Sequence, residues 1–122
     1  MANSDVRLAL FSGRDFEGRR ILLRRGGVAV RDASAFRFDN QLSSFRLRNT
    51  ANGSDVTLIL FANTNYRGDF RVYRGNTTIS DLGNFNNRMS SFIVVGRRLT
   101  DAQVQQIRNT RTAPTDVLHI RS

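Results

Sequence analysis

The chain says nearly the same thing twice. Val-Arg-Leu-Ala-Leu-Phe at 6–11 returns as Val-Thr-Leu-Ile-Leu-Phe at 56–61. Val6, Leu8, Leu10 and Phe11 each meet the same residue type 50 positions later. Both runs alternate with a period of two and are rich in β-formers, which predicts strands with one buried face. A fold that satisfies this sequence must therefore accommodate two copies of one strand-rich unit.

The repeat continues past the first strand. Phe11-Ser-Gly-Arg-Asp-Phe16-Glu-Gly18 is echoed by Phe61-Ala-Asn-Thr-Asn-Tyr66-Arg-Gly68. Ser12, Gly13 and Asp15 in one copy, and Asn63 and Asn65 in the other, are turn residues that bend a chain. The first aromatic ends a strand, the second folds back beside it, and the glycine supplies a positive φ. These aromatics read as a folded-hairpin core, not as a ligand-stacking platform. A second strand follows in each half, over 20–24 and 70–74, and each half closes on another, over 44–47 and 91–95.

Ahead of those closing strands stand two loops, Asp39-Asn-Gln-Leu-Ser-Ser44 and Asn86-Asn-Arg-Met-Ser-Ser91. Each sets two amide or carboxylate side chains four residues before two hydroxyls, around one apolar residue. A hard cation such as calcium takes six to eight oxygens from carboxylates, amides, carbonyls and water, and loops of this composition offer several. The offset between halves drops from 50 at the hairpins to 47 here, which places three extra residues in the first half, around Ala33 to Phe36.

One such unit of about 40 residues struggles to bury a core alone. Two packed together predict an all-β sandwich, with the alternating apolar positions inside. Hydrophobic residues make up 39% of the 122 and are spread along the chain, so a core can form. The apolar runs are too short to span a bilayer, which takes roughly 20 residues. The first residues lack the charged and apolar regions of a secretory signal. Compartment stays open, with cytoplasmic and spore- or coat-associated placements both compatible.

Cysteine is absent and His119 is the single histidine, which removes disulfides, thiolate metal sites and zinc sites of the usual kind. No grouping of histidine, cysteine or carboxylates has catalytic spacing, so an enzyme is not expected. Nineteen basic residues against ten acidic ones give a net charge of +9, and every basic residue is arginine. Such a surface attracts polyanions. Arg19, Arg20, Arg24, Arg25, Arg71, Arg74, Arg97 and Arg98 flank the strand-like runs. That pattern favours a solvated sheet face over a dedicated nucleic-acid stripe.

The aromatic-x4-aromatic-x-Gly hairpin followed by the Asn/Asp-Asn/Asp-x-x-Ser/Thr-Ser loop, twice and in order, resembles the βγ-crystallin domain, its microbial calcium-binding members above all. The resemblance covers roughly residues 5–96, as motif one at 5–48 and motif two at 56–96. It implies two Greek-key motifs packed as two four-stranded sheets, with two calcium sites shared between the motifs. One site would use Asp39 or Asn40, the Gln41 carbonyl, the Ser43 hydroxyl and the Arg67 carbonyl. The other would use Asn86 or Asn87, the Arg88 carbonyl, the Ser90 hydroxyl and Glu17. Ser44 and Ser91 fit a structural role, since a serine at a strand start bonds local backbone. Each site has at most one carboxylate, and Arg67 and Arg88 bring positive charge, so affinity toward the weak end, roughly 10⁻⁴ to 10⁻³ M, is expected.

Residues 97–122 form a C-terminal extension outside the repeat. Thr100-Asp-Ala-Gln103 has the form of a capping box, and Val104 and Ile107 share one face. A short helix lying on the sandwich is expected, with a disordered or partner-binding arm as the alternative, and 116–121 after Pro114 is compatible with one more short strand. The function this reading favours is a structural, calcium-stabilised domain of the stress or coat type. The alternative is an arginine-rich module for nucleic acid or an anionic surface. An inhibitor or toxin ranks third, since such proteins on this fold tend to rely on disulfides.

Overall fold

The alternation of the sequence becomes two sheets facing each other across a core. In the computed structural model, residues 5–36, 41–85, 87–113 and 118–120 are described. The strands are β1 (Val6–Phe11), β2 (Arg20–Leu23), β3 (Val28–Val30), β4 (Ser44–Asn49), β5 (Thr57–Asn63), β6 (Arg67–Arg74), β7 (Thr77–Ile79), β8 (Ser91–Val95) and β9 (Leu118–Ile120). Helix α1 (Asp101–Thr110) lies between β8 and β9.

The first sheet runs β2-β1-β4-β7 and the second β6-β5-β8-β3-β9. The two halves are interlocked rather than simply stacked. The third strand of the first half, β3, pairs antiparallel with β8, and the third strand of the second half, β7, pairs antiparallel with β4. Neither half completes a sheet from its own strands, so each needs the other to satisfy its backbone hydrogen bonds. This links the size argument to the topology.

Between the sheets lie Leu8, Leu10, Phe45 and Leu47 from one side and Leu58, Leu60, Phe92 and Val94 from the other, all buried. Burying each such side chain fully contributes about 1.5–3 kcal/mol. The sheets differ on their outer faces. The first sheet turns Arg7, Arg20, Leu22, Arg46 and Arg48 outward. On the second, Ile59, Phe61, Ile93 and Val95 also point away from the sandwich core, yet they are buried under Leu99, Val104, Ile107 and Ala113. That is why β8 is apolar at consecutive positions, Phe92 to Val95, where a one-sided strand would alternate.

The short helix is there, with its capping box. Gln103 N–H donates to Thr100 Oγ1 at 3.1 Å and Thr100 N–H to Gln103 Oε1 at 2.7 Å. Arg74 holds the helix start in place through Asp101 (2.7 Å) and the Leu99 carbonyl (2.7 Å). The last strand, β9, pairs with β3 and runs parallel to it. The second sheet therefore has five strands where the resemblance implied four.

The extra residues of the first half are divided more finely than expected. Asp15 corresponds to Asn65, but Arg31 corresponds to Ser80 and Ala33 to Leu82, by the hydrogen bonds they make. One extra residue thus precedes Arg31, and the rest fall between Ala33 and Ser43. Both halves place a 3₁₀ turn in this stretch, Ala33–Phe36 and Gly83–Phe85.

Candidate functional site at the hairpin and loop end

Each folded hairpin is held by one serine of the opposite end of its own half. Ser44 Oγ accepts from Phe16 N–H (3.0 Å) and donates to the Gly13 carbonyl (2.6 Å). Ser91 Oγ accepts from Tyr66 N–H (3.1 Å) and donates to the Asn63 carbonyl (2.6 Å). Both serines are fully buried. The structural role read for them from sequence is what they have, and each hydroxyl both donates and accepts.

The hairpins themselves are tighter than a glycine turn alone requires. Asp15 and Phe16 adopt φ of 56° and 63°, and Asn65 and Tyr66 both adopt 59°. Left-handed backbone is uncommon for an aromatic residue and costs energy that the surroundings must offset. The offset here is visible. Phe16 stacks edge-on against Phe11 with centroids 5.6 Å apart, and Tyr66 against Phe61 at 5.7 Å. Gly18 and Gly68 each have φ of 81°, and a Cβ at either would lie under 3 Å from the side chain of Ser12 or Asn63. Burial pushes the Tyr66 phenol up to about 12.

Hydrogen bonds between halves then tie hairpin tips to the loops. Asp15 N–H donates to the Ser80 carbonyl and Asn65 N–H to the Arg31 carbonyl, each at 2.8 Å. Arg14 and Asp81 add an ion pair at 3.2 Å, exposed on both sides and worth little by itself. The two polar loops obey the same symmetry. Leu42 and Met89, their apolar residues, are buried in the core. Ser43 N–H donates to the Phe11 carbonyl (2.9 Å) and Ser90 N–H to the Phe61 carbonyl (2.8 Å).

The loops also meet each other. Asn87 N–H donates to the Leu42 carbonyl at 2.9 Å, and Ser43 Oγ donates to Asn87 Oδ1 at 3.2 Å. Asn87 has φ of 61°, a conformation asparagine tolerates better than most residues. This contact joins side chains that the resemblance had assigned to different sites. Gln41, Glu17 and Arg67 are exposed near the chain turns that carry them. The Glu17 carbonyl accepts from Gly13 N–H at 2.8 Å, and Arg67 opens β6 opposite Asn63, where the β5–β6 register shifts. Asp39, Asn40 and Asn86 lie outside the described residues.

Electrostatically, the loop end is mild. Arg88 is paired with Asp69 at 2.8 Å and sits 5.6 Å from the Phe85 ring centroid, so its positive head is partly neutralised. Among the described residues no three histidine, cysteine, aspartate or glutamate side chains cluster as a metal site. The donors gathered at this end are hydroxyl, amide and backbone oxygens. That set fits a hard cation in donor type and favours low affinity, because ligand charge sets the strength of calcium binding.

Sequence reasoning missed two things here. The Ser43–Asn87 contact depends on how the halves interlock, which no spacing within one loop reveals. The left-handed pairs Asp15–Phe16 and Asn65–Tyr66 had a usable signal in Asp15 and Asn65, which tolerate that conformation; the aromatic after each gave none.

No protein-family model matches the sequence, and no curated protein matches it in sequence. Solved structures do match it in shape. The N-terminal domain of protein S is 26% identical over 76% of this chain and 99% of that one, with a TM-score of 0.58. A structure described for the evolution of the eye-lens βγ-crystallin domain fold has a TM-score of 0.63 at 20% identity, covering 82% of this chain and 91% of its own. A βγ-crystallin from an archaeon gives 0.57 at 18%, covering 77% and 98%. With its paired folded hairpins, exchanged third strands and sandwich core, the chain has the fold of a βγ-crystallin domain.

Proposed function

We propose that this domain is a calcium-stabilised structural protein, with weak cation sites at the end where hairpins and polar loops of both halves converge. The observation that carries the reading is the Ser43–Asn87 contact, which brings a hydroxyl and an amide oxygen from different halves to 3.2 Å. A cation held by oxygens of both loops stabilises the interlocked state over any state in which the halves separate. Glu17, Ser43, Asn87, Ser90 and the Gln41, Arg67 and Arg88 carbonyls are the candidate ligands among the described residues; Asp39, Asn40 and Asn86 complete the proposed set. The neutrality of the Arg88–Asp69 pair supports the reading, since it removes a repulsive charge from the second loop.

Bound calcium supplies one thing: a positive centre that converts several hydrogen-bonding oxygens into a shared ligand shell. The chain's own residues position those oxygens. Ser44 and Ser91 hold the hairpins closed, Leu42 and Met89 anchor the loops in the core, and the backbone bonds from Ser43 and Ser90 fix loop height. Calcium at a hundred times its dissociation constant adds about 2.7 kcal/mol per independent site. Thermal unfolding with calcium, with magnesium and with a chelator tests this. Stabilisation by calcium beyond that by magnesium supports the reading, and identical curves overturn it.

A further inference from the structure

The outer face of the first sheet carries a concentration of charge that its own stability does not explain. Strands β2, β1 and β4 form a groove of about 750 Å³ lined by Arg7, Arg20, Arg24, Arg46 and Arg48, with Ala9 and Leu22 among its apolar residues. No carboxylate lines it among the described residues. The ion pairs of Arg14, Arg74 and Arg88 all lie elsewhere. Arg7 and Arg48 stand directly opposite each other across β1 and β4. Like charges so placed destabilise a sheet. Arg7 is itself engaged, donating to the Val6 (2.8 Å) and Arg24 (3.0 Å) carbonyls, which fixes its head against this face.

We propose that this groove binds single-stranded nucleic acid through its phosphates, independently of base sequence. The arginine row crosses three neighbouring strands, about 10 Å between the outer two, a width that suits one backbone better than a duplex. Arginine forks match phosphate geometry, and Arg20, Arg24, Arg46 and Arg48, which form no ion pair among the described residues, complement a polyanion. The sugar and base surfaces rest on Leu22, the large apolar side chain exposed among the described residues (45%), and on Ala9. Base identity is not read. The face has no amide or carboxylate side chain for adenine or cytosine edges, its arginines are assigned to phosphate instead of guanine edges, and the Phe16 ring is capped by the Arg46 guanidinium at 4.1 Å. Leu22 alone is too little apolar surface for insertion into a bilayer, so a membrane is the weaker occupant.

The test is fluorescence anisotropy of a labelled oligothymidylate with the full chain across a salt series. Saturable binding is expected, with a log–log salt slope of about −3.5 if all five arginines contact phosphate. Arg48→Glu is the informative variant, because it replaces a like-charge pair with an attractive one. It is expected to fold at least as stably, by thermal unfolding, while binding about ten-fold more weakly. Arg108→Glu on α1 makes the same charge change on the opposite side and is expected to bind almost as well as the parent. Leu22→Ser is expected to weaken the oligonucleotide but leave inorganic polyphosphate unaffected. Absence of binding at low salt overturns the proposal. So does equal loss in Arg108→Glu, which reduces the effect to net charge. Tighter binding of polyphosphate, or of vesicles rich in anionic lipid, than of the oligonucleotide overturns the choice of ligand. None of these outcomes depends on calcium.

Discussion

Ser43 of the first half and Asn87 of the second share a hydrogen bond of 3.2 Å, Oγ to Oδ1, reinforced by the backbone bond from Asn87 to Leu42. Each residue sits in the copy of a repeated loop, and the contact makes the two copies parts of one unit. It also explains why the halves are legible as repeats in sequence but not as independent sites. The exchange of β3 and β7 between the sheets carries the loops of one half to the edge of the other.

Asn87→Ala removes an oxygen from this contact without touching the core. In the absence of cation the loss is expected to be about 2–3 kcal/mol, the sum of one partly exposed hydrogen bond and the strain of alanine at a φ of 61°. In its presence the stabilisation by calcium is expected to shrink even though Ser43 remains. Paired urea titrations of parent and variant, with calcium and with chelator, measure both terms.

Ser44→Ala and Ser91→Ala address the hairpins instead. Each strips an N–H and a carbonyl of their partner, part-buried at Phe16 and Gly13, buried at Tyr66 and part-buried at Asn63. The expected cost is about 1–3 kcal/mol per variant, larger for Ser91→Ala, because its Tyr66 N–H is left buried without a partner. Chemical denaturation reads this directly, and a midpoint unchanged from the parent contradicts it.

Tyr66 makes the fold sensitive to alkali. Its phenol is held neutral by burial, up to about 12 against an ordinary 10. Above pH 10 the unfolded chain loses that proton and the folded chain keeps it, so unfolding becomes more favourable. Stability attributable to this group is complete below pH 10 and lost as pH rises through about 12. Tyr66→Phe is expected to flatten the decline between those values, measured by thermal unfolding. Phe16 occupies the matching position of the first half, so the replacement ring is one the hairpin accepts.

The helix covers a second core. Ile107→Ala opens a cavity beneath α1 against the outer face of the second sheet and is expected to cost about 2–5 kcal/mol. Thr100→Ala removes one arm of the capping box and is expected to cost about 1 kcal/mol. The ratio of the two, from urea midpoints, separates burial from capping.

Much of this fold was legible from period and composition. The strand repeat, the aromatic hairpins, the two glycines and the capping box are local signals, and the structure has each where residues 6–18, 56–68 and 100–107 put it. What escaped was non-local. Strand exchange is set by pairing between halves, and the parallel edge strand β9 depends on α1 returning the chain beside β3. The arginine face shows the same division. Arg7, Arg46 and Arg48 alternate with apolar residues along their strands, but their convergence with Arg20 and Arg24 needs the register of three strands together.

The central claim is that one ion class binds where the loops of both halves meet. Backbone amide NMR during a calcium titration tests it most directly. The expected result is saturable shifts at residues 41–44 and 87–91 together, with smaller ones near Glu17 and Arg67, and a response abolished when Ser43 and Ser90 are both alanine. No movement at these amides at millimolar calcium, with the fold intact, would contradict it.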